Sequence, residues 1–424
     1  MFNFLKQEIM KKLLLLAPIA ALALASCSND EQIAQSPALN AQEVTFRPVV
    51  NGTTRTVTTD ANFDKFHVVA TITNDNTKYA FWEALESGDV PTAATVTNSQ
   101  TSLDMDVTKS ATTGKWEVVG GKTWYWSSKN AEASFKAYNA NGSITVPEAI
   151  ANQKDVLVAY NEGVASSFDN GVPMLFRHVL SQIVIKADNA DADIRQIQVG
   201  GVRIHNVGNT NTLTLPTSET TADKFKWYDA TSAADGYKPW AANPSTQASK
   251  YTYYKGTAPA ANAVYNDTYI TLNGSAQEIT FGGAALLLPQ TKAAADLTAA
   301  SVTGAYIDVL VKVQLAGSDA TGKSDTEKAI YPKINVNTTG EVLTDQQFAW
   351  VAVPVDIDWQ PGYKYTYILH FSKDGIGKVS PDDEGGDPDP GPQPGEEIVD
   401  NAVPLYFTVT IDEWNDAANT EKNL

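Results

Sequence analysis

The 424-residue sequence predicts an all-β protein of antiparallel β-sandwich domains, with one further strand carried on a leash at its C-terminal end. Three observations predict this. Short runs rich in β-branched and aromatic residues recur along the chain, and no window shows a long amphipathic helix. Asn-Gly and Asp-Gly pairs punctuate the runs at Asn51-Gly52, Asn141-Gly142, Asp235-Gly236, Asn273-Gly274 and Asp374-Gly375, where they supply the positive φ that tight turns require. A last strand-like run is set apart from the rest by an acidic Pro/Gly segment.

The elements follow in order. Lys11 and Lys12 form a basic region ahead of a short apolar stretch at 13–25, too short to span a bilayer as a mature helix. It ends in Leu24-Ala25-Ser26-Cys27, which resembles a bacterial lipobox: the signal is cut before Cys27 and the thiol takes the lipid. The bland alternative is an ordinary secretory signal with a chance Cys. Met10 would give a signal of 17 residues, so the start lies at Met1 or Met10. The next residues, Ser28-Asn29-Asp30-Glu31, resemble an acidic surface-export signal.

Strands are expected at 44–50, 66–73 (FHVVATIT), 134–138, 155–160, 179–187, 194–204, 306–315, 329–336, 347–355 and 363–371 (YKYTYILHF). Within 306–315, Ile307, Val309, Val311, Val313 and Leu315 share one face, because side chains alternate with period two, and Asp308, Lys312 and Gln314 take the other. A polar stretch at 186–193 separates two runs and suits a domain boundary. The Thr/Ala/Asn/Tyr-rich stretch at 205–280 reads as long loops or an insertion. Residues 380–397 hold five Pro, four Gly, seven acids and no base, so they read as an extended, self-repelling linker with a reach of about 55 Å. In the run that follows, Leu405, Phe407, Val409 and Ile411 alternate with Tyr406, Thr408, Thr410 and Asp412. An isolated strand cannot satisfy its backbone groups, so this one must pair with a sheet of its own chain or of another.

Composition excludes several classes. Basic residues number 31 against 49 acidic ones, for a net charge of −18, and only five are Arg, which argues against nucleic acid as a partner. One Cys excludes an internal disulfide framework and a Cys-based metal site. The four His (67, 178, 205 and 370) lie far apart in strand-like runs and read as packed or edge residues. There is no HExxH, GxSxG or GxGxxG. Residues 317–324 fit GxxxxGK[ST], but a phosphate loop must lead into a helix, and the following DTEKAIYPKINV reads as a strand interrupted by Pro332. This segment is expected to be a hairpin loop. The acidic linker lacks the spacing of a calcium loop. Catalytic residues, cofactors and metal are therefore all expected to be none. Aromatic pairs such as Trp124–Trp126 and Trp227-Tyr228, with Tyr251, Tyr253 and Tyr254, could stack on glycans; the competing reading is core packing, which the shared face of Trp124 and Trp126 favours.

Several segments together resemble the fimbrillin-like lipoproteins of Bacteroidetes, the superfamily of major and minor type V pilins. They are the lipobox, NGTTRT at 51–56, TWYWSSKNAEASFKAYNANG at 123–142, LFRHVLSQIVIKA at 175–187, LLLPQ at 286–290, WQPGYKYTYILHF at 359–371 and YFTVTIDEW at 406–414. The resemblance implies two transthyretin-like β-sandwich domains and no enzymatic activity. It implies surface export as an outer membrane lipoprotein, removal of the lipidated segment and first strand by an arginine-specific protease, and polymerisation into a fimbrium by accepting a strand from another subunit. On this basis the chain divides into a signal peptide (1–26), a pro-segment with lipidated Cys27 (27–55), an N-terminal sandwich (56–188), a C-terminal sandwich (189–379), the linker (380–397) and a candidate donor segment (398–424).

Two places in the sequence fit that scheme. Arg47 and Arg55 are the early arginines, and Arg47 precedes Pro48, a poor site for trypsin-like proteases, so the expected cut is Arg55–Thr56. Leu405, Phe407, Val409 and Ile411 form the expected donor strand; burying four large apolar side chains contributes about 6–12 kcal/mol before entropy costs. The expected partners are other pilin subunits, the processing protease and, before processing, the outer membrane through the lipid anchor; the host ligand is left open. The alternative is a surface lipoprotein that binds glycan, through Trp124 and Trp227, or host matrix and never polymerises.

Overall fold

The computed structural model describes residues 42–50, 63–73, 81–83, 99–121, 123–217, 237–240, 243–244, 249–260, 265, 267–334, 347–382, 392–399 and 402–414. In chain order the first strands are β1 (Phe46–Val50), β2 (Lys65–Ile72), β3 (Phe81–Glu83), β4 (Ser99–Gln100), β5 (Ser102–Lys109), β6 (Trp116–Val118), β7 (Trp124–Trp126), β8 (Glu132–Tyr138), β9 (Gly142–Thr145), β10 (Leu157–Val164), β11 (Val172–His178), β12 (Ser181–Asn189) and β13 (Arg195–Val207). They are followed by β14 (Thr210–Leu213), β15 (Ser249–Tyr254), β16 (Ile270–Thr271), β17 (Gln277–Glu278), β18 (Ala285–Leu287), β19 (Gln290–Lys292) and β20 (Tyr306–Leu315). The last are β21 (Ala329–Tyr331), β22 (Ala349–Pro354), β23 (Ile357–Trp359), β24 (Tyr363–Phe371), β25 (Lys378–Val379) and β26 (Tyr406–Glu413). Among the described residues, helix is confined to Asp325–Lys328 and short 3-10 turns, so the fold is all-β as the sequence predicts.

Contacts divide the chain into two compact units. The described residues of the first fall within Met1–Pro48, Lys65–Phe135 and Asn161–Met174; those of the second fall within Val49–Asp64, Lys136–Tyr160 and Leu175–Leu424. One seven-stranded sheet has the order β1-β11-β10-β8-β2-β5-β6, and β4-β3-β7 form a smaller sheet in the first unit. Alternation does the work here. Phe66, Val68 and Ala70 of β2 lie opposite Val107, Met105 and Leu103 of β5, and all six are buried. The other face carries His67 against Asp106, 2.8 Å apart. Phe46, Phe66, Phe81, Trp126, Phe135 and Phe168 form one aromatic core, with edge-to-face packing of Phe46 on Phe66 and Phe135 at 6.0 Å.

The second unit holds a sheet of order β17-β12-β24-β26, with β18 also on β12, and another of order β15-β13-β20-β22-β25. Most pairings are antiparallel, but β12 and β24 run parallel over eight residue pairs from Gln182↔Lys364 to Asn189↔Phe371. A parallel pair needs a long crossover, and here the intervening chain from β13 to β23 supplies it. Strand β20 is buried on both faces over 306–311, so Asp308, expected on a polar face, is fully buried. The described parts of 205–280 are not simply loops: β15 pairs with β13 and buries Tyr251 and Tyr253. In its pairing with β20, β13 bulges between Val199 and Gly201, and the Tyr265 ring packs so closely on Gly200 that it leaves no room for a Cβ.

The linker also differs from expectation. Its described ends do not extend away from the body but meet: Gly395 N–H donates to Val379 O and Val379 N–H to Glu396 O, both at 2.9 Å. Asp382 contacts Lys250 and lies 3.5 Å from Arg203. Residues 383–391 lie outside the described set.

Candidate functional site

Two edge strands carry the features that bear on assembly. The first is β1, at the edge of the seven-stranded sheet that begins with it. Val44, Phe46 and Val50 are each no more than 5% exposed. Val172 N–H donates to Thr45 O at 2.8 Å, Val44 N–H to Trp124 O at 2.8 Å, and Trp126 N–H to Gln42 O at 2.8 Å. Partial desolvation beside Tyr125, to which it is bridged, raises the carboxyl pKa of Glu43 although the residue stays exposed to solvent, and the charge of Lys115 opposes the shift. The strand is thus an edge element whose side chains nevertheless fill the core.

The second is β26 in the second unit. It lies antiparallel along β24, from Tyr363↔Glu413 to His370↔Tyr406. Phe407, Val409 and Ile411 stand opposite Leu369, Tyr367 and Tyr365, on the face by which β24 buries its own side chains. Leu405 is buried, Phe407 is half-buried, and Val409 and Ile411 are 40% and 57% exposed. The apolar alternation read from the sequence is therefore real, and among these four side chains burial falls from Leu405 to Ile411. On the other face, His370 Nδ1 lies 3.0 Å from Asp188, its Nε2 lies 3.0 Å from Thr408 Oγ1, and its ring stacks on Tyr406 at 4.8 Å. Burial pushes Tyr367 up to about 12 and raises Tyr365 further. The strand ends at Trp414, 2% exposed, whose N–H donates to Gly362 O at 2.8 Å and whose ring stacks on His178 at 4.2 Å.

The other predicted positions fall as follows. Cys27, Arg55, Thr56 and Trp227 lie outside the described residues. Trp124 is 8% exposed and Trp126 1%, so both rings are core and offer little surface for a sugar. The loop at 317–324 joins the antiparallel pair β20 and β21. After it, DTEK forms one helical turn rather than strand. Ser324 caps this turn and the Glu327 carboxylate accepts from the Ser324 N–H at its start, where a phosphate would have to sit.

Sequence reasoning missed one grouping. His205 Nε2 lies 2.8 Å from Asp308 Oδ2, and Ser380 Oγ donates to the same oxygen at 2.7 Å. These are the residue types of a hydrolytic triad, but Ser380 faces the carboxylate rather than the imidazole, and none of the three exceeds 2% exposure. The grouping ties the root of the linker to β13 and β20. No sequence signal joins positions 205, 308 and 380, because the pairing of β13 with β20 brings the first two together.

A family model described as fimbrillin-like matches residues 54–382. The chain belongs to the fimbrillin-like family. A fimbrial protein from Bacteroides vulgatus is similar to this fimbrillin-like chain at 14% identity and a TM-score of 0.43, covering 88% of this chain and 99% of its own. A fimbrial assembly protein from Parabacteroides distasonis is similar at 9% identity and a TM-score of 0.32, covering 78% and 92%. No curated protein matches the chain. The family match stops short of both edge strands, β1 at one end and β26 at the other.

Proposed function

We propose that this fimbrillin-like protein is a structural subunit of a cell-surface fimbria, exported as a lipoprotein on Cys27, processed after Arg55 and assembled by strand exchange in support of adhesion. In this reading the outer membrane holds the unprocessed chain through its lipid, and the processed chain leaves it for the fimbria. Its role is mechanical rather than enzymatic.

One observation carries the reading. Residues 44–50 read VTFRPVV and residues 405–411 read LYFTVTI. Aligned in this register, Val44 matches Leu405, Phe46 matches Phe407, and Val50 matches Ile411. The chain buries Val44, Phe46 and Val50 in full, but leaves Val409 and Ile411 exposed. A cut after Arg55 detaches β1 from the following chain. Its departure removes Phe46 from between Phe66 and Phe135 and leaves the main-chain N–H of Val172 without its acceptor, Thr45 O. A strand of like pattern from a second copy restores both, with main-chain bonds setting register and Phe407 filling the aromatic gap.

The test is proteolysis followed by electrophoresis. Treatment with an arginine-specific protease should yield a new N-terminus at Thr56 and SDS-resistant ladders. Arg55→Ala should abolish both, and deletion of 398–424 should abolish the ladders while leaving the cut. A lipidated full-length monomer persisting after treatment refutes the proposal.

A further inference from the structure

Strand β26 is held on its own sheet unevenly. Among residues 405–412 and 414, only Leu405 and Trp414 are buried, one at each end. The leading end is secured through the chain before it: Val403 N–H donates to Asp374 O at 2.9 Å and Ile398 N–H to Gly377 O at 3.4 Å. The far end depends on Trp414. Its seat is made by the buried His178 ring, which Asp155 holds at 2.6 Å, and by the turn at Gly362. That turn has φ +74, and a Cβ on Gly362 would lie 3.1 Å from His178 O, so the seat is built around a glycine.

The seat is also imperfect. Trp414 Nε1 is buried and has no hydrogen-bond partner among the described residues. A buried N–H left unpaired costs free energy, and a buried indole usually finds an acceptor. The middle of the strand adds little, because Val409 and Ile411 remain exposed.

We propose that Trp414 is a latch that keeps β26 parked on β24, and that the strand peels away only when the indole leaves the His178 seat. The unpaired N–H makes the latch weaker than its burial suggests, so the parked state is a store from which the strand is released. The latch is a property of the single chain; its use in assembly rests on the strand-exchange reading above.

Hydrogen exchange by mass spectrometry on the purified chain, at a concentration where it is monomeric, tests the latch without reference to ladders. Amide exchange reports local opening. In Trp414→Ala, peptides covering 406–413 should exchange at least tenfold faster, while peptides from β13 and β20 keep the wild-type rate. Trp414→Phe keeps the stacked ring and removes the unpaired N–H, so its 406–413 peptides should exchange no faster than wild type. Unchanged exchange in Trp414→Ala, acceleration spread equally over all strands, or faster exchange in Trp414→Phe overturns the latch. Ladder formation is a separate readout, so a chain that passes the exchange test but never polymerises refutes strand exchange alone.

Discussion

Replacing Ile411 by Ser separates what β26 does for its own chain from what the proposed strand exchange would ask of it. In the single chain Ile411 is 57% exposed on the sheet face that Tyr365 buries. Full burial of such a side chain is worth about 1.5–3 kcal/mol, so less than half, about 0.6–1.3 kcal/mol, is at stake in the isolated chain. If a second copy covers the side chain completely, the remaining amount, about 1–2 kcal/mol, is lost at the subunit contact, a roughly 5- to 30-fold weakening. Urea denaturation of the isolated Ile411→Ser chain should therefore show a small loss of stability. Ladder formation after arginine-specific proteolysis should fall far more. Ladders at wild-type yield, or a loss of chain stability larger than about 2 kcal/mol, would refute the reasoning, because either result means that Ile411 matters where it sits now.

Three further outcomes follow from the same structure. Phe46→Ala should destabilise the chain by about 3–5 kcal/mol in urea denaturation, since it empties the space between Phe66 and Phe135. His205→Ala should cost about 1–3 kcal/mol by leaving Asp308 buried with one partner fewer, and should speed amide exchange around Ser380. The raised pKa of Glu43 fixes the sign of a pH effect: the folded chain holds this proton more tightly than the unfolded chain. Its contribution is favourable below the unfolded value and declines as pH rises through the folded one. Lowering the pH from 7 toward 4.5 should therefore stabilise the wild type relative to Glu43→Gln, read as the difference in urea midpoints; an equal pH response in both refutes it.

Particular residues show how far the sequence could be read. The run FHVVATIT was legible as a strand, and period two places Phe66, Val68 and Ala70 on one face, which the structure buries. Leu405, Phe407, Val409 and Ile411 were equally legible as one face of a strand, and the structure places them on one face. Asp308 was legible as lying opposite Ile307 and Val309, but its burial was not, because period two assigns a side chain to a face and does not say whether that face is covered. Tyr251 and Tyr253 were hidden in a segment with weak apolar patterning, although their spacing already matched a strand. The acidic linker was read from composition alone, which could not anticipate that Arg203 and Lys250 would wait for Asp382.

The sequence by itself determined the all-β class, the positions of eleven of the 26 strands described, the punctuation between them and the apolar face of the last one. These rest on the alternation of side chains and on turn chemistry, which act over a few residues. The tertiary structure decided which strands pair, that β12 and β24 run parallel, that positions 205, 308 and 380 meet, and that β26 lies at an edge with its two ends buried and its middle exposed. Pairing and cover depend on segments far apart in the chain. A single strand's pattern states which side chains seek burial but not what will bury them.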